Sequence, residues 1–89
     1  MVYRIELERR AQKELARLSK QIQSRIVAVI DDLAETPRPS GCLPVQNAPK
    51  GTHRIRVGDY RIVYVILDEK EVIIIARITR RSEKTYRGL

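Results

Sequence analysis

The chain has no tryptophan or phenylalanine, and only one cysteine (Cys42), one histidine (His53) and one methionine. Each shortage excludes something. A single thiol cannot build a disulfide framework, and Cys42 with His53 would make half a metal site at most. No metal and no cofactor are therefore expected, and both residues are read as structural. Without Phe or Trp, the core has to be aliphatic, drawn from Ile, Val and Leu. Apolar runs such as Val72 to Ala76 are far too short to span a bilayer. Met1-Val2-Tyr3-Arg4 leads directly into charged residues with no secretory leader, so a cytoplasmic, membrane-free protein is expected. Internal repeats, low-complexity tracts and linkers are also missing. The 89 residues read as one domain, 1–89, with a single modest core burying roughly 60–65% of the unfolded surface.

What the chain does have is positive charge. Eighteen Lys and Arg stand against eleven Asp and Glu, a formal net charge of +7. The surplus is uneven: residues 1–49 hold eight basic and six acidic side chains, and residues 50–89 hold ten and five. A polyanionic partner such as nucleic acid is favoured, although charge alone does not separate RNA from DNA or an acidic peptide.

Val2 to Leu7 alternates as a first strand would. Ala11, Leu15, Leu18, Ile22, Ile26, Val29 and Leu33 recur every three or four residues, the stripe of an amphipathic helix. Ser19 is a suitable N-cap, so a break near Leu18-Ser19 into two helices is expected. Glu14, between Lys13 and Arg17, falls on the charged side of that stripe. Thr36-Pro37-Arg38-Pro39-Ser40-Gly41 stops the second helix. A long connection containing Pro44 and Pro49 follows, up to Gly51.

From His53 to Tyr64 the pattern is a β-hairpin. Alternation places Arg54 and Arg56 on one face and Ile55 and Val57 on the other, with Gly58-Asp59 as the turn and Arg61 just after it. By the same alternation, His53 lies on the Ile55/Val57 side, away from the arginines. Asp68-Glu69-Lys70 makes a polar turn, and Val72–Ala76 reads as a central strand buried on both faces. The expected fold is α+β, ordered β-α-α-β-β-β, with a mainly antiparallel four-stranded sheet and a two-helix layer on one face. Three guanidinium groups on one hairpin repel one another unless an anion lies between them. A solvated arginine face is the plain alternative. Thr79 to Arg87 adds a second basic cluster with a tyrosine, and pairing of the last strand with the hairpin would bring the two clusters together.

The hairpin Arg54-Ile55-Arg56-Val57-Gly58-Asp59-Tyr60-Arg61-Ile62-Val63-Tyr64, the turn Asp68-Glu69-Lys70 and the ending Arg80-Arg81-Ser82-Glu83-Lys84-Thr85-Tyr86 resemble the RelE toxins. These belong to the RelE/ParE superfamily of toxin–antitoxin systems. The resemblance implies a type II toxin acting as a metal-independent, ribosome-dependent endoribonuclease that cuts mRNA in the A site and is silenced by a RelB-like antitoxin. It places Arg61, Arg80 and Tyr86 in catalysis, and Arg54, Arg56 and Arg81 in RNA binding. Arg54 and Arg56 stand where the best-known members carry lysine. A guanidinium does not give up its proton, so phosphate binding rather than proton transfer is their expected part. The rival within the superfamily is a ParE-like toxin that poisons gyrase without nuclease activity. A further alternative is an inactive RNA-binding or antitoxin-binding module.

Overall fold

The computed structural model describes residues 2–81. Its helical layer consists of α1 (Arg9–Ala16) and α2 (Lys20–Glu35). The break falls where expected, with Ser19 as N-cap of α2 and its Oγ accepting from Ile22 N at 3.4 Å. Gln23 fastens the turn between the helices by donating to the carbonyls of Leu15 and Leu18. Thr36 ends α2 immediately before Pro37. Ala11, Ile26, Ile30 and Leu33 bury the inner stripe, with Leu15, Leu18, Ile22 and Val29 packed at its margin. Ile30 joins the expected stripe because it follows Ile26 by one helical turn.

Five strands form one sheet in the order β1-β5-β4-β3-β2, where β1 is Arg4–Leu7, β2 Leu43–Pro44, β3 Thr52–Val57, β4 Tyr60–Leu67 and β5 Val72–Arg80. β1 runs parallel to β5, and the other pairings are antiparallel. The class agrees with the expected α+β fold, but the sheet has one strand more. The extra strand is the two-residue β2, inside the proline-bearing connection. It pairs Leu43 with Arg54 and Pro44 with His53. Proline has no N–H for a ladder, so such a segment fits only a sheet edge and leaves no periodic trace in the sequence. Gly51 ends this connection at φ +91, and a Cβ there would lie 2.7 Å from the Ile66 carbonyl oxygen.

The core is mostly aliphatic, as expected, with Ile62, Ile73 and Ile75 from the sheet meeting Ile26 and Leu33. Each such side chain contributes about 1.5–3 kcal/mol over an exposed one. Tyr64 is the exception: it is fully buried, and its hydroxyl donates to the Pro37 carbonyl at 2.8 Å. That bond lets an aromatic residue with a polar tip enter an otherwise aliphatic core. Burial is the main cause that pushes the Tyr64 hydroxyl well above its ordinary pKa.

β5 is central where β1 covers its flank, from Val72 to Ile75. Beyond Ile75, β1 has given way to α1, and Glu14 takes over that flank. Its carboxylate accepts from Ile78 N at 2.9 Å and from Arg77 Nε and NH2 at 3.1 and 2.8 Å. Glu14 is thus turned inward and not into solvent, because the unpaired edge of β5 and the buried Arg77 both need an acceptor.

Candidate nucleic-acid interface

The hairpin forms as its alternation requires. Val57 pairs with Tyr60 around the Gly58-Asp59 turn, and the positive φ of +60 falls on Gly58. The next pair outward is Arg56 with Arg61. Cross-strand partners share a sheet face at Cβ separations of about 4.5–5.5 Å, where like charges disfavour folding. Arg54 lies on the same face, opposite Val63 and two residues further from the turn. Arg56 is exposed, and Arg54 and Arg61 are half-buried. The Nε of Arg61 is shielded from solvent, so the base of its guanidinium sits within the protein surface.

β5 brings the second basic cluster to the same end. Arg80 pairs with Tyr60, and Arg81 N donates to the Asp59 carbonyl at 2.7 Å, tying the strand end to the turn. The register sets Arg80 with Tyr60 and Val57 on the helix-bearing face, opposite to Arg56 and Arg61. Its guanidinium carbon lies 5.9 Å from the centre of the Tyr60 ring, within cation–π range. The basic residues therefore surround the end of the sheet instead of occupying one face. Among the described residues, an open concavity of about 410 Å³ is lined by Arg61, Arg80 and Arg81, with Asp59 as the one acid.

Of the expected site residues, the structure gathers Arg56, Arg61, Arg80 and Arg81 around the turn and holds Arg54 nearby. Tyr86 lies outside the described residues. Arg25 was not singled out from the sequence, where it looks like one more charge on a helix face. In the structure it reaches the hairpin: its guanidinium approaches within 3.1 Å of where a Cβ on Gly58 would be. No local sequence pattern announces a contact between residues 25 and 58.

His53 is elsewhere. It stacks on Tyr64 with ring centres 5.9 Å apart, and its Nδ1 is 2.9 Å from the Gly51 carbonyl oxygen. It borders a larger hollow, about 560 Å³, at the opposite end of the sheet, along with Arg38, Lys50, Asp68, Glu69 and Lys70. Charges there are mixed, and Arg38 NH2 is already bonded to Asp68 at 2.7 Å. The larger hollow therefore lacks the mainly basic lining described at the turn end. Among the described residues, no three His, Cys, Asp or Glu side chains converge as a metal site would need, and no helix is long and apolar enough to cross a membrane.

The two-helix layer on a mostly antiparallel sheet matches the fold of solved RelE toxins. The family described as "ParE toxin of type II toxin-antitoxin system, parDE" matches residues 5–85. Toxin RelE of Mycobacterium tuberculosis is 36% identical over 81 residues, covering 90% of this chain and 82% of the relative. Toxin RelG of the same organism is 30% identical over 84 residues, covering 93% and 95%. In the crystal structure of the archaeal RelE–RelB complex from Pyrococcus horikoshii OT3, the matching chain superposes with a TM-score of 0.82 at 26% identity, over 93% of this chain and 99% of that one. The chain belongs to the RelE/ParE superfamily of type II toxins, as a RelE-type toxin.

Proposed function

We propose that this toxin is a ribosome-dependent endoribonuclease that cleaves mRNA in the A site and so stops translation. One observation carries the reading. Arg56 faces Arg61 directly across the hairpin, and Arg61, Arg80 and Arg81 line one concavity in which Asp59 is the one acid among the described residues. Guanidinium groups gathered from both strands of the hairpin and the end of β5 favour a site that takes an anion between them.

RNA supplies both the anion and the nucleophile. Its 2′-oxygen bonds to the adjacent phosphorus, the bond from phosphorus to the 5′-oxygen breaks, the 2′-hydroxyl loses its proton and the departing 5′-oxygen gains one. No metal is required in this scheme. The transition state is a crowded phosphorane with added negative charge, which preorganised guanidinium donors stabilise. Arg61 and Arg80 take that role, Arg61 being the better anchored because it is half-buried. Arg54, Arg56 and Arg81 neutralise flanking phosphates and hold the strand for in-line attack. Tyr86 is assigned to catalysis as a stacking platform for the scissile nucleotide, which is testable because Tyr86→Ala should then be clearly slower than Tyr86→Phe. A site without a histidine or paired carboxylates among its gathered residues is a weak free nuclease, which favours geometry completed by the ribosome.

A RelB-like antitoxin is the proposed protein partner, since the archaeal RelE relative is in complex with RelB. The cytoplasm, where ribosomes lie, is the proposed location. The match to the ParE family favours one second reading, gyrase poisoning without nuclease activity. Primer extension on mRNA in programmed ribosomes tests the choice. Discrete A-site cuts that depend on the protein are expected. Intact mRNA together with gyrase-dependent DNA breaks would establish the second reading instead.

A further inference from the structure

We propose that Arg25 of α2 is an additional phosphate contact, extending the RNA path over the turn onto the helix side of the sheet. The inference rests on the reading of the arginine cluster as an RNA site. Arg25 is exposed, and among the described residues it makes no ion pair or side-chain hydrogen bond. Its guanidinium nonetheless meets the hairpin turn. NH2 and NH1 lie 3.1 and 3.5 Å from the point a Gly58 Cβ would occupy, so the guanidinium rests against the turn because residue 58 has no side chain. With Ile22, Val57, Asp59 and Tyr60 it borders a small hollow of about 60 Å³.

Asp59 and Tyr60 connect the two sides. Asp59 borders both this hollow and the Arg61/Arg80/Arg81 concavity. Tyr60 borders the hollow and carries Arg80 over its ring. A backbone leaving Arg61 and crossing the strand end at Arg80 therefore meets Arg25 next. Among the described residues, Asp59 is the one acid along that route, and it lies more than an ion-pair distance from Arg25. A guanidinium that rests on the turn with no carboxylate bonded to it among the described residues suits a phosphate, as a bidentate donor.

The test uses the full chain and a fluorescent ten-nucleotide single-stranded RNA, titrated at salt concentrations from about 25 to 200 mM. Each phosphate contact contributes about 0.7 to the slope of log affinity against log salt for a single strand. Arg25→Gln should shrink the slope by about that amount, while Arg25→Lys should keep it. If the wild type binds with a salt dependence that Arg25→Gln leaves unchanged, the Arg25 contact is wrong and the rest of the cluster stands. If the wild type shows no salt-dependent binding, both ideas fall. A reduced slope in Arg25→Gln from a protein that makes no cuts on programmed ribosomes would uphold the contact and remove the nuclease reading.

Discussion

The chain uses arginine in two opposite ways. Arg77 is buried and held by both oxygens of Glu14, and Arg38 is clamped by Asp68, which also accepts from the Tyr3 hydroxyl at 2.7 Å. In each case a carboxylate was placed for the cation, and the pair ties distant parts of the chain together. The hairpin end differs: Arg25, Arg56, Arg61, Arg80 and Arg81 gather around a turn whose concavity holds one acid among the described residues. Like charges opposed across a ladder work against the fold, so the first group of arginines serves the structure and the second is positioned for something outside it.

That contrast can be broken by mutation. The largest effect should come from Arg61→Ala or Arg80→Ala, each lowering single-turnover cleavage on the ribosome by about 10²–10³, as for a lost oxyanion donor. For the exposed Arg80, folding stability should move by no more than about 0.5 kcal/mol. Near wild-type cutting by either variant would remove that arginine from the chemistry.

Glu14→Ala should behave in the opposite sense. It leaves Arg77 a buried, unpaired charge and strips the acceptor from Ile78 N, at a cost of about 3 kcal/mol. Urea unfolding would measure it, and adding Arg77→Met should restore much of the loss. A Glu14→Ala protein as stable as wild type would show that the pair does not hold the β5 edge.

Arg56→Thr sharpens the comparison further. Removing one of two opposed charges should raise stability by about 0.2–1 kcal/mol while ribosomal cleavage falls. A drop in stability would place Arg56 with the structural arginines.

The smallest effect is expected at Asp68. The Arg38 guanidinium, assisted by the Tyr3 hydroxyl, holds its carboxyl below the usual range. A depressed folded-state pKa contributes stability that is complete above the unfolded carboxyl's value and disappears as pH falls through the lowered one. Asp68→Asn should therefore be slightly less stable than wild type at neutral pH, and the two unfolding curves should converge in acid. A difference that persisted at low pH would assign the effect to packing instead of charge.

Local pattern carried most of the architecture. The helix stripe, the Ser19 cap, the arginine alternation and the Gly58 turn all arise from residues a few positions apart, and periodicity reads such relations directly. The same alternation kept His53 apart from Arg54 and Arg56. The two-residue β2 escaped because a strand of that length containing proline has no period to detect. Tyr64 escaped for another reason: its place in the core depends on a carbonyl twenty-seven positions earlier, at Pro37.

The sequence by itself determined an aliphatic α+β protein with a basic hairpin and a basic C-terminal stretch, since composition and short-range spacing are sufficient for that. Only the tertiary structure decided which charges are spent inside the fold. Glu14 reaches Arg77 across sixty-three positions, Arg80 meets Tyr60 through the β4–β5 register, and Arg25 comes to rest on Gly58 because α2 crosses the hairpin end. Side chains of one type look alike along the chain. They part company through packing, which depends on contacts between residues far apart in sequence.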